Sequence, residues 1–362
     1  MRAFAVLLVV IAHSGLGHIV PGGSGVTIFF SISGFIITFL ILRERDKTDG
    51  FSAPAFYFRR LMKIGPPFVL VILVPTGLYA IWNSVDWAHV AGQVFFVFNW
   101  TELSGDANVL PGSGVVWSLA IEEQFYIVFA LIWLGMVRSR LWRSLLIVLA
   151  GVAVAFSTVL RVVMAQDPGL ERRIYFGTDT RLDGIAWGVL AGVAYHFWHS
   201  KNVPSAITRI LSMDWILIGA IGLYLVSLIY RDEWFRDTFR FSIQSISACL
   251  VILYGLLPGH GPLRRYFYAI SSWAPVSIIG LASYSIYLVH LVLVDGLRNL
   301  LPGFPLWSSV AILSAVGLGT GIGIFYLVER PAHKFRALME AKFATKAGGS
   351  ANNVTLVGTA QK

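Results

Sequence analysis

The first apolar segment of the chain, RAFAVLLVVIAH, is bracketed by two side chains that can do chemistry, Arg2 and His13. Eleven residues at about 100° each make about 1100°, which is three turns plus roughly 20°, so a helix places both side chains on one face, about 16 Å apart. A guanidinium binds phosphate or carboxylate, and an imidazole can take a proton from a hydroxyl. The spacing therefore predicts that the two residues line one path.

Five other segments also set ionisable or hydroxyl side chains among apolar residues: FFSISGF, FRRLMKIGPP, WSLAIEEQFY, TDTRLDG and SYSIYLVH. Two kinds of chemistry are represented in them. Basic side chains suit phosphates, and a histidine beside a carboxylate suits the removal of a proton from a hydroxyl. The basic candidates are Arg2, Arg59, Arg60 and Lys63, and the other candidates are His13, Glu122, Glu123, Arg181, Asp183, Tyr284, Tyr287 and His290.

Composition identifies the surroundings of these residues as a lipid bilayer. Hydrophobic residues make up 56% of the chain and charged residues 13%, whereas soluble domains have about a quarter charged. Charged groups at mid-membrane cost about 2.5–3.5 kcal/mol each on insertion scales, so those that persist usually face an interior cavity. The single cysteine argues against a paired-thiol metal site or redox chemistry, and no metal is expected.

The elements that position these side chains are predicted to be ten membrane-spanning helices in an all-α protein. They lie near residues 2–16, 25–42, 66–82, 116–135, 144–164, 182–198, 213–230, 240–257, 276–296 and 306–328. The apolar stretch 90–100 is too short to cross and is predicted to be re-entrant or interfacial. Paired glycines at 188/192, 317/321 and 319/323 predict close helix packing.

Basic residues set the predicted orientation. With the amino terminus in the cytoplasm, 20 of the 28 Lys and Arg residues fall on the inner side, so both termini are predicted inside. The net charge of +9 is spread in short clusters between apolar segments, which argues against a nucleic-acid partner. This topology groups Arg2, Arg59, Arg60 and Lys63 at an inner pole, and groups the remaining candidates with His13 at an outer pole.

Each group also has a purely structural interpretation. The basic residues of FRRLMKIGPP can act as a positive-inside anchor, and His290 can be a hydrogen-bonded packing residue. Glu122 and Glu123 can form ion pairs with Arg161 or Arg181. A proton-coupled transporter or flippase of a glycan or lipid-linked intermediate uses similar intramembrane groups, and an assembly subunit without chemistry is a third alternative.

In their order along the chain, these segments resemble the acyltransferase-3 family of integral-membrane bacterial O-acyltransferases. RAFAVLLVVIAH resembles the family's Arg-x10-His signature, and WSLAIEEQFY resembles its Trp-Ser-Leu-x-x-Glu-x-x-Phe-Tyr motif. The similarity spans residues 2–331 and is carried also by GVTIFFSISGFIIT, FYFRRLMKIGPP, TRLDGIAWGVLAG, LASYSIYLVH and VERP. We therefore expect an acyltransferase-3 transmembrane domain over residues 1–336 and a disordered cytoplasmic tail over 337–362.

The resemblance implies the reaction and its partners. The donor would be cytoplasmic acyl-CoA, usually acetyl-CoA, acting as a co-substrate rather than a bound cofactor. The acceptor would be a hydroxyl of a cell-surface glycan or lipid-linked saccharide, and the enzyme would be a multi-pass protein of the bacterial cytoplasmic membrane. On this hypothesis His13 is the general base or a transient acyl carrier, and Glu122, at the carboxylate position of the motif, orients its ring.

The other candidates receive supporting roles in this hypothesis. Coenzyme A phosphates would be held by four basic residues, Arg2, Arg59, Arg60 and Lys63. Arg181 and Asp183 would shape the acceptor side, with Glu123 beside them, and Tyr284 or His290 would donate a hydrogen bond to the developing oxyanion.

Overall fold

The computed structural model describes residues 1–105, 107–201 and 206–346, and its regular structure within these ranges is helical throughout. This confirms the all-α prediction. The predicted tail begins inside the last helix, and residues 347–362 lie outside the described part of the chain. In chain order the helices are α1 Arg2–Ile11, α2 Gly22–Thr48, α3 Ala53–Phe68, α4 Val74–Tyr79, α5 Trp87–Val94, α6 Phe98–Thr101, α7 Val116–Met136, α8 Trp142–Met164, α9 Glu171–Phe176, α10 Thr178–Lys201, α11 Ala206–Leu211, α12 Asp214–Ile229, α13 Glu233–Asp237, α14 Arg240–Leu256, α15 Pro262–Ser272, α16 Ala274–Leu281, α17 Ser283–Leu297, α18 Leu306–Ile324 and α19 Arg330–Lys346.

π-helical turns continue three of these helices: Ala12–Leu16 after α1, Val69–Leu73 between α3 and α4, and Phe325–Glu329 between α18 and α19. Five continuous segments are long and apolar enough to cross a membrane: Gly22–Thr48, Ala53–Tyr79, Ser113–Met136, Trp142–Met164 and Leu306–Glu340. A sixth is obtained if α16 and α17 are taken as one bent span. Each of the ten predicted segments is helical over most of its length, while ten crossings and the placement of both termini stay predictions.

The centre of the bundle is α2, whose most apolar 18-residue window is 72% buried, compared with 22% for α8. It packs against α1, α10 and α14. A Cβ atom added at Gly34 would lie 2.0 Å from the carbonyl oxygen of Ile185, and one added at Gly188 would lie 2.2 Å from that of Ser31. Only glycine allows α2 and α10 to approach so closely, which confirms the predicted packing role of Gly188.

A second tight contact joins α17 and α18. A Cβ added at Gly321 would lie 2.5 Å from the Cα of Ile286, and one added at Gly317 would lie 3.4 Å from the Cβ of His290. Gly319 and Gly323 have no such neighbour within 4 Å. The packing prediction is therefore confirmed for the first pair and wrong for the second, because alternate residues of a helix face different sides.

The predicted continuous helix over 276–296 is wrong, because the chain bends by 75° between α16 and α17. The bend brings the polar start of α17 into the protein. There Ser283 accepts a hydrogen bond from Arg2, and Ser285 donates one to Glu329. Buried hydroxyl groups need hydrogen-bond partners, and the bend places both serines where they have one.

The short apolar stretch 90–100 folds as two helices, α5 and α6, joined by a turn at Phe96, whose φ is 55°. Both helices pack against α7. Gln124 of α7 donates hydrogen bonds to the carbonyl of Phe96 at 2.7 Å and to the side-chain oxygen of Asn99 at 2.8 Å. The segment is thus two short helices held against α7, and its re-entrant or interfacial placement stays a prediction.

Candidate active site

Three basic side chains from α1 and α3 lie within electrostatic range of one another, and we call them the basic cluster: Arg2, Arg60 and Lys63. Arg60 and Lys63 are three residues apart on α3 and so share a helix face. The guanidinium carbon of Arg60 lies 3.7 Å from the centre of the Tyr126 ring, a cation–π contact. Lys63 interacts electrostatically with Glu329 and Glu122, and its ammonium group has no hydrogen bond or salt bridge with another residue in the described ranges. Its ammonium group is therefore free to bind an anion.

Glu122 and Glu123 of α7 lie beside this basic cluster. Glu123 forms a salt bridge with Arg60. Glu122 accepts a hydrogen bond from the Ser33 hydroxyl at 2.9 Å and interacts electrostatically with Arg60 and Arg2. Of the two adjacent carboxylates, Glu123 is therefore in a direct ion pair, whereas Glu122 is hydrogen-bonded to a hydroxyl group.

The sequence placed both carboxylates with His13, and the structure corrects this grouping. Within the described ranges Glu122 makes no hydrogen bond with His13. The alternative ion pairs of Glu122 and Glu123 with Arg161 or Arg181 are also absent there. Glu122 follows the first residue of α7 by six positions, about 9 Å along the helix axis. It therefore lies inside the helix and not at its end. The long side chains of Arg2 and Arg60 reach it there.

A cavity with about 60 Å³ of free space extends from Arg2 and Glu122 to Ser118 and Tyr287. The Arg2 guanidinium makes one side-chain hydrogen bond among the described residues, from Nε to Ser283 at 2.9 Å, and none from its two terminal nitrogens. The cavity therefore begins at unused N–H donors. Its walls are formed by Arg2, Val26, Phe29, Ser33, Val115, Val116, Ser118, Leu119, Glu122, Ser283, Tyr284, Tyr287 and Leu288.

Two tyrosines of α17 border this cavity. Tyr284 donates a hydrogen bond to the carbonyl of Ile64 at 3.0 Å. Tyr287 shares a 2.7 Å hydrogen bond with Ser118, and its ring centre lies 5.7 Å from that of His290. Tyr287 thus stands between the cavity and a histidine.

That histidine pairs with the one at the end of α1, and we call His13 and His290 the histidine pair. His13 Nδ1 lies 3.0 Å from His290 Nε2, and the ring centres are 5.1 Å apart. His290 is fully buried, and its Nδ1 lies 2.6 Å from the carbonyl oxygen of Tyr287. The sequence identified both residues but did not predict their contact.

The π turn that carries His13 depends on local sequence. Gly15 has a φ of 135°, a conformation that other residues rarely adopt. Arg298 donates a 2.7 Å hydrogen bond to the carbonyl of His13 and so holds the turn from α17's end. π turns inside helices are frequent at functional sites, and this one sets the direction of the imidazole. Both ends of the path from Arg2 to His13 contact α17, as a shared face requires.

Asp183 is held in a buried polar network. Both oxygens of Asp183 accept from the Arg161 guanidinium, at 2.8 and 2.7 Å, and Ser242 donates to the same carboxylate at 2.5 Å. Arg161 also donates to the carbonyl oxygens of Thr238 and Thr180. Neither charged group is exposed, since Arg161 and Asp183 are both 0% accessible. The arrangement joins α8, α10 and α14.

Arg181 is also buried, but its partners are aromatic. Its guanidinium carbon lies 3.8 Å from the centre of the Phe241 ring and 5.3 Å from that of Tyr175. It donates to the Thr27 hydroxyl at 3.0 Å. Arg181 thus ties α10 to α2 and α14.

Arg59 lies on another face of α3 from Arg60, as consecutive helical residues do. It is partly exposed and bonds to Glu44 at 2.9 Å, with Glu340 at 3.9 Å. Of the four predicted donor-binding residues, the structure therefore brings three together and gives Arg59 different partners.

Comparison with known proteins agrees with this chemistry. The chain matches the acyltransferase-3 family, described as an acyltransferase domain, over residues 1–329. The chain belongs to the acyltransferase-3 family. It is 31% identical over 307 residues to a "Putative O-acetyltransferase" of Staphylococcus aureus strain COL, covering 82% of this chain and 50% of that protein. It is 30% identical over 305 residues to the O-acetyltransferase OatA of strain NCTC 8325, covering 80% and 49%.

The chain spans about half the length of these curated relatives. No solved structure matches it significantly. The family assignment confirms the resemblance found in the sequence. Within the described ranges, no three His, Cys, Asp or Glu side chains are arranged to hold a metal ion.

Two further residues of the candidate site were not predicted from the sequence. Glu329 accepts a hydrogen bond from Ser285 at 2.6 Å and interacts electrostatically with Arg2 and Lys63. An acidic residue at the end of an apolar segment, in VERP, was the available signal. Arg298 had no such signal, because its contact with the backbone of His13 depends on tertiary structure.

Proposed function

We propose that this protein transfers an acyl group, in the first instance acetyl, from cytoplasmic acyl-CoA to a hydroxyl of a cell-surface or exported glycan, including a lipid-linked saccharide. It would do so in the bacterial cytoplasmic membrane with both termini inside, through a domain comprising residues 1–336. The observation that carries the proposal is the cavity that extends from Arg2 of the basic cluster to Tyr287, whose ring lies beside His290 of the histidine pair. Relatives named as O-acetyltransferases support the same chemistry.

The basic cluster would hold the phosphates of the donor. Arg2 offers two terminal guanidinium nitrogens, and Lys63 offers an ammonium without a hydrogen-bonded partner in the described ranges. Charge-assisted bonds from such groups to phosphate are about twice as strong as neutral ones. Arg60 and Arg59 already pair with Glu123 and Glu44, so they would contribute positive field more than free donors.

The size of the cavity favours a small acyl group. About 60 Å³ is room for a few water molecules, and its walls are mostly apolar. An acetyl group fits a space of this order, whereas a long acyl chain requires the helices to part. The thioester carbonyl would have to pass Tyr287 to reach the histidine pair.

The transfer step can take either of two forms. In the first, His13 accepts the proton of the acceptor hydroxyl while its oxygen attacks the thioester carbonyl. The carbon–sulfur bond then breaks, and the CoA thiolate takes the proton back from the imidazolium. In the second, His13 attacks the carbonyl itself and expels the CoA thiolate. The acceptor hydroxyl then displaces the acyl group from the imidazole, and its proton goes to the thiolate. Both give one ester and one free thiol for each thioester consumed.

The direct test uses membrane vesicles of the protein, supplied with acetyl-CoA labelled in its acetyl group. We expect labelled glycan whose label is released by mild alkali, as esters are, together with one equivalent of free CoA thiol. Vesicles without the protein are the control. Movement of a saccharide across the vesicle membrane without ester formation would contradict the proposal and favour a transporter.

Replacing Lys63 with glutamine is expected to weaken donor binding. One hydrogen bond to a charged group is worth about 1.5–3 kcal/mol, so KM for acetyl-CoA should rise about tenfold or more while kcat changes little. Lys63→Arg should preserve the affinity. Lys47→Gln, an equal loss of charge at an exposed position of α2, is the control. Unchanged KM in Lys63→Gln would remove this residue from the donor site.

A further inference from the structure

The hydrogen bonds of His290 determine where its proton lies. The carbonyl oxygen of Tyr287, 2.6 Å from His290 Nδ1, can only accept, so Nδ1 carries the hydrogen. In a neutral imidazole the other nitrogen is then an acceptor. In a doubly protonated His290, Nε2 would be a donor and not an acceptor. However, the His290 ring is fully buried, and no carboxylate among the described residues is hydrogen-bonded to it. Burial without an opposing charge disfavours the charged form.

The protonation of the neighbouring ring follows directly. His290 Nε2 lies 3.0 Å from His13 Nδ1, so His13 must supply the hydrogen from Nδ1. In neutral His13 the remaining nitrogen, Nε2, then has a free lone pair. Nδ1 is the ring nitrogen of His13 that contacts another side chain in the described ranges. The ring also has a hydrogen bond with the backbone of Val9, one turn earlier on α1, where the carbonyl oxygen can only accept.

We infer that His290 is a positioning residue that fixes His13 as its Nδ1–H tautomer, with Nε2 left free for the acyl-transfer step. This inference rests on the proposed function only for the role of Nε2 in acyl transfer, and the assignment of the tautomer does not depend on that function. Both forms of that step need the same lone pair, whether it takes a proton or attacks a carbonyl. The carbonyl of Tyr287 thus acts on His13 through His290.

The surroundings hold this chain of two rings in place. A Cβ at Gly317 would already touch the Cβ of His290 at 3.4 Å, so α18 packs directly behind the ring. On the other side, Arg298 holds the backbone of His13 through its carbonyl. An orienting hydrogen bond to the distal ring nitrogen is the usual way in which a catalytic imidazole is aligned. Here the neutral imidazole of His290 orients the His13 ring, a role that the sequence had predicted for Glu122.

The inference also replaces the oxyanion role first considered for His290. Its one N–H is directed to the carbonyl of Tyr287, so it has no second hydrogen to offer a developing oxyanion. Tyr284 is engaged with the carbonyl of Ile64. The effect of His290 on transfer would therefore act entirely through His13.

Nitrogen NMR on the protein labelled with ¹⁵N-histidine tests the tautomer in the unmodified chain. The eight histidines are few enough to assign by single substitutions. We expect His13 to show a protonated Nδ1 and an unprotonated Nε2 at neutral pH, and His290 to show the same pattern. A protonated Nε2 in neutral His13 would overturn the inference, whether or not acyl transfer is observed.

Two substitutions then test the consequence. Glutamine at 290 can still accept from His13 Nδ1 through its amide oxygen, whereas leucine cannot. We expect His290→Leu to lower kcat for transfer from acetyl-CoA about 10²-fold with KM unchanged, and His290→Gln to recover most of the loss. His18→Leu, at an exposed histidine, is the control.

The outcomes separate this inference from the proposed function. Wild-type kcat in a folded His290→Leu protein would overturn the positioning role while leaving the transferase intact. If no vesicle preparation forms ester, the proposed function fails, and the NMR result still decides the tautomer. If His290→Leu does not fold, the unmodified protein still gives the answer by NMR.

Discussion

Replacing His13 with alanine is expected to lower kcat for acyl transfer by about 10²–10⁴-fold, the range that a positioned proton acceptor supplies. KM for acetyl-CoA should change little, because the basic cluster lies at the other end of α1. The measurement is the rate of ester formation and of CoA thiol release in membrane vesicles with matched protein amounts. His18→Ala, which removes an exposed imidazole, should keep the wild-type rate.

Labelling of the wild-type protein distinguishes the two forms of the reaction. If His13 carries the acyl group, the wild-type protein given labelled acetyl-CoA without acceptor should gain label on this residue, detected by mass spectrometry after a rapid quench. If it acts only as a base, no label should remain. A wild-type rate in His13→Ala would rule out both forms.

The second large effect concerns stability. Asp183→Leu leaves the fully buried Arg161 guanidinium without its carboxylate, and breaking a buried pair in this way costs about 3–5 kcal/mol. We expect a large drop in the melting temperature of the purified protein in detergent. The double variant Asp183→Leu with Arg161→Met should recover part of the loss, because it leaves no buried charge unpaired.

A partly exposed ion pair provides the comparison for this prediction. Glu102 and Arg172 lie 3.3 Å apart, and their side chains are 21% and 51% exposed. Glu102→Gln should therefore cost no more than about 1 kcal/mol. An Asp183→Leu protein that melts like the wild type but no longer modifies its acceptor would instead support the acceptor-site role first predicted for Asp183.

Much of the architecture was already present in the sequence. Apolar stretches of spanning length predicted where helices form, because a backbone without water must satisfy its own hydrogen bonds. The eleven-residue spacing of Arg2 and His13 predicted one shared face, and both residues contact α17. The order of the motifs predicted the family, which the comparison confirmed. These features are local or depend only on order along the chain.

The pairing of the site residues was decided by tertiary structure alone. Glu122 lies with the basic cluster, and His290 takes the place at His13 that the sequence suggested for a carboxylate. The spacing of residues along a helix predicts which face each side chain lies on. It does not predict how far along a neighbouring helix the side chain makes contact, or how that helix is tilted. The 75° bend before α17 and the π turn at Ala12–Leu16 change both. Residues 277 positions apart meet at 3.0 Å because three packed helices bring them there.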